Sequence, residues 1–378
     1  VKIIFIPNLP YTYRDHQRFG VEYFLKRGYD VEVMDVHHIL LPGYKEKVNI
    51  DYWTFDKHYE PQNIDEVVAH VQALNENDFI FFYIAGKDAV CLLNTLKANT
   101  SAKFMTYVGG SIPVSTVFCR YTSKLKNILV RIAKILIPKY KDTPFETDFF
   151  ISGSPKDEKI FPYLIGKNTK LIQSNSRDYD LCLTTVGYEY EKPYCVFLDT
   201  DVIDASDYVI FGDDPAKDAQ VYLDKILEFF KWIEEKFAID VIIAAHPKSR
   251  LFYGKDTING IKIVHQKSAE LVKNSQFVLT EGTTAISYAV FFRKPIIFFT
   301  FELIHFFYDH CCSFAKELDK KIVNIDHLGG EEEKIIQNEL LNTKGYDYYK
   351  KTYLTYLDST VATFETIDFM LNEYNHGR

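Results

Sequence analysis

None of the six cysteines of this chain (Cys91, Cys119, Cys182, Cys195, Cys311 and Cys312) stands in a CxxC pair, and no apolar run reaches the roughly 18 residues of a membrane span. Without ligand spacing the cysteines do not point to zinc. Several sit inside apolar runs, where a free thiol packs as a small core residue, and the pattern fits a reducing compartment. His305, His310 and Cys311 are close in sequence but lack a ligand spacing, so no metal is expected there. No signal peptide is visible, and the expectation is a cytoplasmic protein. The chain opens at Val1 directly on a strand-like run, as a chain without its initiator Met, or one cut from a longer multidomain protein, would.

A basic excess is also missing. Lys and Arg number 44 against 52 Asp and Glu, a net charge of -8. Nucleic-acid binders carry a basic domain or stripe, so no nucleic-acid partner is expected. Anionic small ligands remain open, because helix ends and a few basic side chains hold them in an acidic protein. The one concentrated basic stretch is 124–141. There Leu125, Ile128, Leu129, Ile132 and Leu136 form an apolar stripe among Lys124, Lys126, Arg131, Lys134, Lys139 and Lys141. It reads either as a surface helix packed on its sheet or as a helix lying on an anionic membrane.

What is present is a long chain with enough apolar content for real cores. Its 378 residues suit two domains, and 47% hydrophobic content is ordinary for a globular protein. Short apolar runs at 1–7, 29–36, 79–84, 104–108 and 149–151 read as strands, with helical patterns at 14–27 and 90–96. The pattern restarts with strands at 194–198, 241–245, 262–264, 277–280, 295–300 and 322–325. Helices are expected at 216–237, 269–273 and 283–292. Alternation of this kind predicts α/β architecture with parallel sheets. Two such runs predict two Rossmann-like domains, 1–185 and 186–378, joined within the polar stretch 175–193 and followed by helical residues 346–375.

Ligands of open parallel sheets bind at the carboxyl ends of strands. Three strand ends in the second half carry chemistry. His246-Pro247-Lys248 follows one strand, and a His and a Lys there can neutralise and hydrogen-bond a phosphate; a solvated turn is the plainer alternative. Glu281-Gly282-Thr283-Thr284, with Ser287 beyond, joins a strand to a helix whose free N–H groups would hold an anion. N-capping alone also accounts for the threonines. Asp199 closes the strand 194–198 and would serve as nucleophile, base or hydroxyl anchor, or merely cap a turn. In the first half, the polar loop 7–15 and Gly109-Gly110-Ser111 follow strands and would face an acceptor.

The stretches 196–201 (VFLDTD), 241–250 (VIIAAHPKSR) and 268–300, and more loosely Gly109-Gly110, resemble bacterial GT-B glycosyltransferases that use CMP-activated 2-keto sugar acids. The likeness is nearest to the retaining β-Kdo transferase domains of O-antigen and capsule assembly. It covers most of the C-terminal half. It implies a cleft between an acceptor domain and a donor domain, and a CMP donor as substrate with no separate cofactor. His246 and Lys248 would meet the phosphate, and Thr283, Thr284 and Ser287 would line the nucleotide site with Glu281. Asp199 would form the covalent glycosyl intermediate, with Asp201 as the fallback. The acceptor would be a sugar of a surface polysaccharide such as lipopolysaccharide, lipid-linked glycans included, met at the inner face of the cytoplasmic membrane. Asp199-Thr200-Asp201 also spells DTD and keeps a metal-using reading open. The alternatives are an inverting sialyltransferase-like enzyme, a nucleotide-sugar epimerase or hydrolase, and a non-catalytic nucleotide- or glycan-binding domain.

Overall fold

The apolar runs form the strands of two seven-stranded sheets. The computed structural model describes the chain except residues 8, 44–52, 84–86, 114–143, 204–218, 248, 250, 303–304 and 377–378. The basic stretch 124–141 and Lys248 therefore lie outside the described residues. Among the described residues no helix is long and apolar enough to cross a membrane.

The first unit holds Val1–Ser111, residues 144–177 and Thr355–Arg378. Its strands are β1 (Lys2–Pro7), β2 (Asp30–Met34), β3 (His58–Tyr59), β4 (Phe79–Tyr83), β5 (Lys103–Val108), β6 (Phe149–Ser152) and β7 (Lys170–Gln173). They pair in parallel in the order β3-β2-β1-β4-β5-β6-β7. Successive side chains alternate between faces. Ile4, Ile6, Ile80 and Phe82 pack to one side, and Ile3, Phe5, Phe79 and Phe81 to the other.

Two expectations change in this unit. The single helix expected at 14–27 is two helices, Tyr13–Arg18 and Val21–Lys26. Gly20 separates them at φ 86°, and a Cβ there would lie 2.6 Å from the Phe364 ring. The close packing of that ring requires the glycine. The C-terminal segment, expected within 186–378, belongs to the first unit instead. Ile367, Met370 and Leu371 of the helix Thr363–His376 join the core formed by Ile3, Phe5 and Phe81. That apolar face finds its partner on this sheet, so the chain returns after residue 354.

Among its described residues the second unit holds Ile112, Pro113 and Asp178–Leu354. Its strands are β8 (Tyr194–Leu198), β9 (Asp240–Ala245), β10 (Thr257–Ile258), β11 (Ile261–His265), β12 (Val278–Thr280), β13 (Ile296–Thr300) and β14 (Ile322–Asn324). The order is β10-β11-β9-β8-β12-β13-β14, parallel except for the short β10–β11 pair. Helices cover both faces. Ala219–Phe237 buries seven apolar side chains, Tyr222, Leu223, Ile226, Leu227, Phe229, Phe230 and Ile233. Each contributes about 1.5–3 kcal/mol on leaving water. The opposite face packs Val196 and Leu198 against Leu271, Ile286 and Ala289. The expected α/β class and the two Rossmann-like units are what the chain adopts.

Candidate functional site

The first strand of the second unit, β8, sits centrally, with β9 on one side and β12 on the other. From β9 the chain moves outward through β11 to one edge. From β12 it moves outward through β13 and β14 to the other. The connections leaving β8 and β12 therefore diverge, which opens a crevice at the carboxyl ends of the strands. Register decides which residues meet there. Leu198 is level with Ala244 and with Thr280. Asp199 and Glu281 thus leave the sheet side by side, and His246 follows two residues past Ala244.

Asp199 is only 5% exposed, and both of its carboxylate oxygens are occupied. Oδ1 accepts the Asp201 N–H and Oδ2 the His246 N–H, each at 2.9 Å. The carboxylate clamps the loop after β8 to the turn after β9. Burial pushes its pKa up, opposed by these two N–H groups and His246 and reinforced by nearby Asp201.

Asp201 stands in the left-handed region at φ 58°. Such a conformation is uncommon for a non-glycine residue. Its Oδ2 lies 3.5 Å from Nδ1 of His246. Its Oδ1 is buried with no hydrogen-bond partner among the described residues. The His246 side chain is 29% exposed, so it faces both the buried carboxylate and solvent. A turn that returns the Ser249 N–H to the His246 carbonyl at 3.0 Å holds its backbone.

Glu281 is 1% exposed. Its Oε2 accepts the hydroxyls of Thr200 at 2.8 Å and Tyr222 at 2.9 Å. Its Oε1 has no hydrogen-bond partner among the described residues. Burial pushes its pKa up to about 8, which Asp199 reinforces and the two hydroxyls oppose. The shift favours the neutral acid, so the crevice carries less negative charge than three ordinary carboxyl groups imply.

The turn after β12 is longer than expected. The helix begins at Ile286, not at 283. Gly282 turns the chain at φ 112°, and a Cβ there would meet the Cys311 Cα at 2.8 Å. Thr283 is half-buried and Thr284 exposed. Among the described residues their backbone N–H groups donate to no protein acceptor. Ser287 lies inside the helix, where its hydroxyl donates to the Thr284 carbonyl at 2.9 Å and is also bonded by buried Tyr349.

The expected residues Asp199, His246 and Glu281 are thus brought together. Thr283 and Thr284 extend the same turn, and Ser287 is engaged by the protein itself. Thr200 and Tyr222 were not anticipated. Tyr222 falls on the apolar stripe of its helix and gives no sign in the sequence of the hydroxyl's partner. Chemically, the group offers a partly exposed imidazole, a buried carboxylate with an unused oxygen, a carboxyl whose pKa is raised by burial, and N–H groups with no protein acceptor among the described residues. That set can hold a phosphate-bearing ligand and support nucleophilic or acid–base chemistry.

No protein-family model matches the chain. No curated protein matches it either. Among solved structures it is similar to UDP-GlcNAc 2-epimerase from Methanocaldococcus jannaschii, at 12% identity and TM-score 0.49 over 98% of this chain and 100% of that one. It is also similar to the wall teichoic acid polymerase TagF, at 12% identity and TM-score 0.46 over 98% and 88%. A third is Arabidopsis thaliana UGT89C1, at 11% identity and TM-score 0.44 over 98% of each chain.

Proposed function

We propose that the chain is a glycosyltransferase that takes Kdo, or a related 2-keto sugar acid, from its CMP donor and passes it to a sugar of a bacterial surface polysaccharide. The observation that carries the proposal is the convergence of three strand ends at one crevice: Asp199–Asp201 after β8, His246 after β9 and Glu281–Thr284 after β12. In this reading the imidazole of His246 and the N–H groups of Thr283 and Thr284 receive the CMP phosphate, with Lys248 adding positive charge. The first unit holds the acceptor. The resemblance of 196–201, 241–250 and 268–300 to CMP-sugar users supports the choice of donor.

The chemistry proceeds by two displacements. The C2–O bond to CMP breaks, and CMP leaves with the bonding electrons, its charge met by the phosphate-binding groups. A carboxylate oxygen forms a bond to C2; the acceptor oxygen later takes its place, the C2–carboxylate bond breaking to regenerate the carboxylate and the hydroxyl proton passing to water. Asp199 was the expected nucleophile, but both of its oxygens hold backbone N–H groups. Asp201 has an oxygen without such a partner, so we assign the covalent role to Asp201 and a positioning role to Asp199. Intact-protein mass spectrometry with the CMP donor and no acceptor tests this. The expected result is a sugar-acid adduct on the wild type that Asp201→Ala lacks. An active enzyme in which Asp201→Ala still forms the adduct overturns the assignment.

A further inference from the structure

A second cluster of ligating side chains lies in the first unit, at the edge formed by β2 and β3. The parallel register pairs Val33 with His58 and Met34 with Tyr59. The next pair is therefore Asp35 beside Glu60, and the Asp35 N–H donates to the Tyr59 carbonyl at 2.9 Å. His58 and Glu60, two residues apart on an extended chain, point to the same side. One ligating atom from each of Asp35, His58 and Glu60 lies within 4.8 Å of the others.

The His58 side chain is 6% exposed, and neither ring nitrogen has a hydrogen-bond partner among the described residues. A buried imidazole left this way costs free energy unless another group satisfies it. Its Nε2 is 3.3 Å from Glu60 Oε1. Two ligands held about 2.1 Å from a tetrahedral ion stand about 3.4 Å apart, so this pair is already at coordinating separation. Asp35 is fixed in advance. Its Oδ2 accepts the Tyr11 N–H at 3.0 Å, and its Oδ1 accepts the His37 N–H at 3.1 Å and stands 2.6 Å from His37 Nδ1. Support of this kind orients a ligating carboxylate. Glu60, 42% exposed, is the member free to close the remaining gap.

We infer that Asp35, His58 and Glu60 form a binding site for a divalent ion of the zinc class, which clips the end of β2 to β3. One imidazole nitrogen and two carboxylates make an N/O set suited to zinc, and three protein ligands leave a position for water. All three ligands belong to the first unit, and the inference does not depend on the reaction proposed for the second.

The full chain stripped with EDTA, then dialysed against zinc chloride and free buffer, tests the inference. Elemental analysis of the wild type is expected to show one zinc per chain, with a raised melting midpoint. His58→Ala and Glu60→Gln should bind zinc at least ~10-fold more weakly and lose the rise. Glu60 is half-exposed, so its variant keeps the test valid if His58→Ala does not fold. A wild type without stoichiometric zinc overturns the inference. So does a zinc-induced rise that both variants retain, since that marks adventitious binding.

Discussion

Asp199 and Asp201 are two residues apart, yet their surroundings give them different work. Asp199 satisfies two buried N–H groups. Asp199→Ala is therefore expected to destabilise the second unit by about 2–4 kcal/mol, because it orphans both donors. Asp201→Asn, which keeps the side-chain shape and suits the left-handed backbone at φ 58°, should leave the melting midpoint nearly unchanged while removing the adduct. Thermal unfolding of the two variants side by side separates a clamp from a reactive group. His246 makes the complementary case. Its backbone N–H, not its ring, serves Asp199, so His246→Ala should fold normally. Its CMP affinity should fall roughly 10- to 100-fold, the loss of one charge-assisted hydrogen bond. Gly282→Ala should cost on the order of 2–3 kcal/mol in denaturant unfolding, since φ 112° and the nearby Cys311 backbone leave no room for a Cβ.

At the scale of the element, the strands that carry a continuous apolar run were readable. Residues 194–198 were expected and found without change, and β9 and β13 differ from expectation by one residue at one end. The strands that were missed are short edge strands. β7 is largely exposed, and β3 and β10 have two residues each, so none offers an apolar run to detect. Their pairing comes from neighbours distant in sequence. For the same reason the Asp35–His58–Glu60 cluster was not legible: only the register of β2 with β3 assembles it. The C-terminal helix shows the limit in another way. A helical C-terminal stretch was expected, but helical character does not name the sheet that it covers. Leu371→Asp on that buried face should disrupt the first unit's core, with loss of at least about 3 kcal/mol and increased protease cleavage as the readouts.

At the scale of the whole molecule, the strand-end motifs were legible because parallel topology sends every carboxyl end to one side of its sheet. Their meeting depended on strand order, which the sequence does not print. The buried acids also set a pH dependence. Burial pushes Asp157 from an ordinary 3.8 to about 6 and Glu281 from 4.5 to about 8. Each holds in the folded state a proton that the unfolded chain releases at lower pH. The stability tied to these protons is complete below the unfolded values. It falls as pH rises, between about 4 and 6 for Asp157 and between about 4.5 and 8 for Glu281. Glu281→Gln removes the second decline, so its melting midpoint should vary less than the wild type's from pH 6 to pH 8 in a scan run across that range.

The crevice at β8, β9 and β12 as a CMP site is most directly tested by thermal shift with CMP, UMP, UDP and GDP on the wild type and His246→Ala. CMP should raise the wild-type melting midpoint more than the other three nucleotides, and His246→Ala should lose most of that rise. Equal shifts with all four nucleotides, or a CMP shift that His246→Ala keeps in full, would contradict the account.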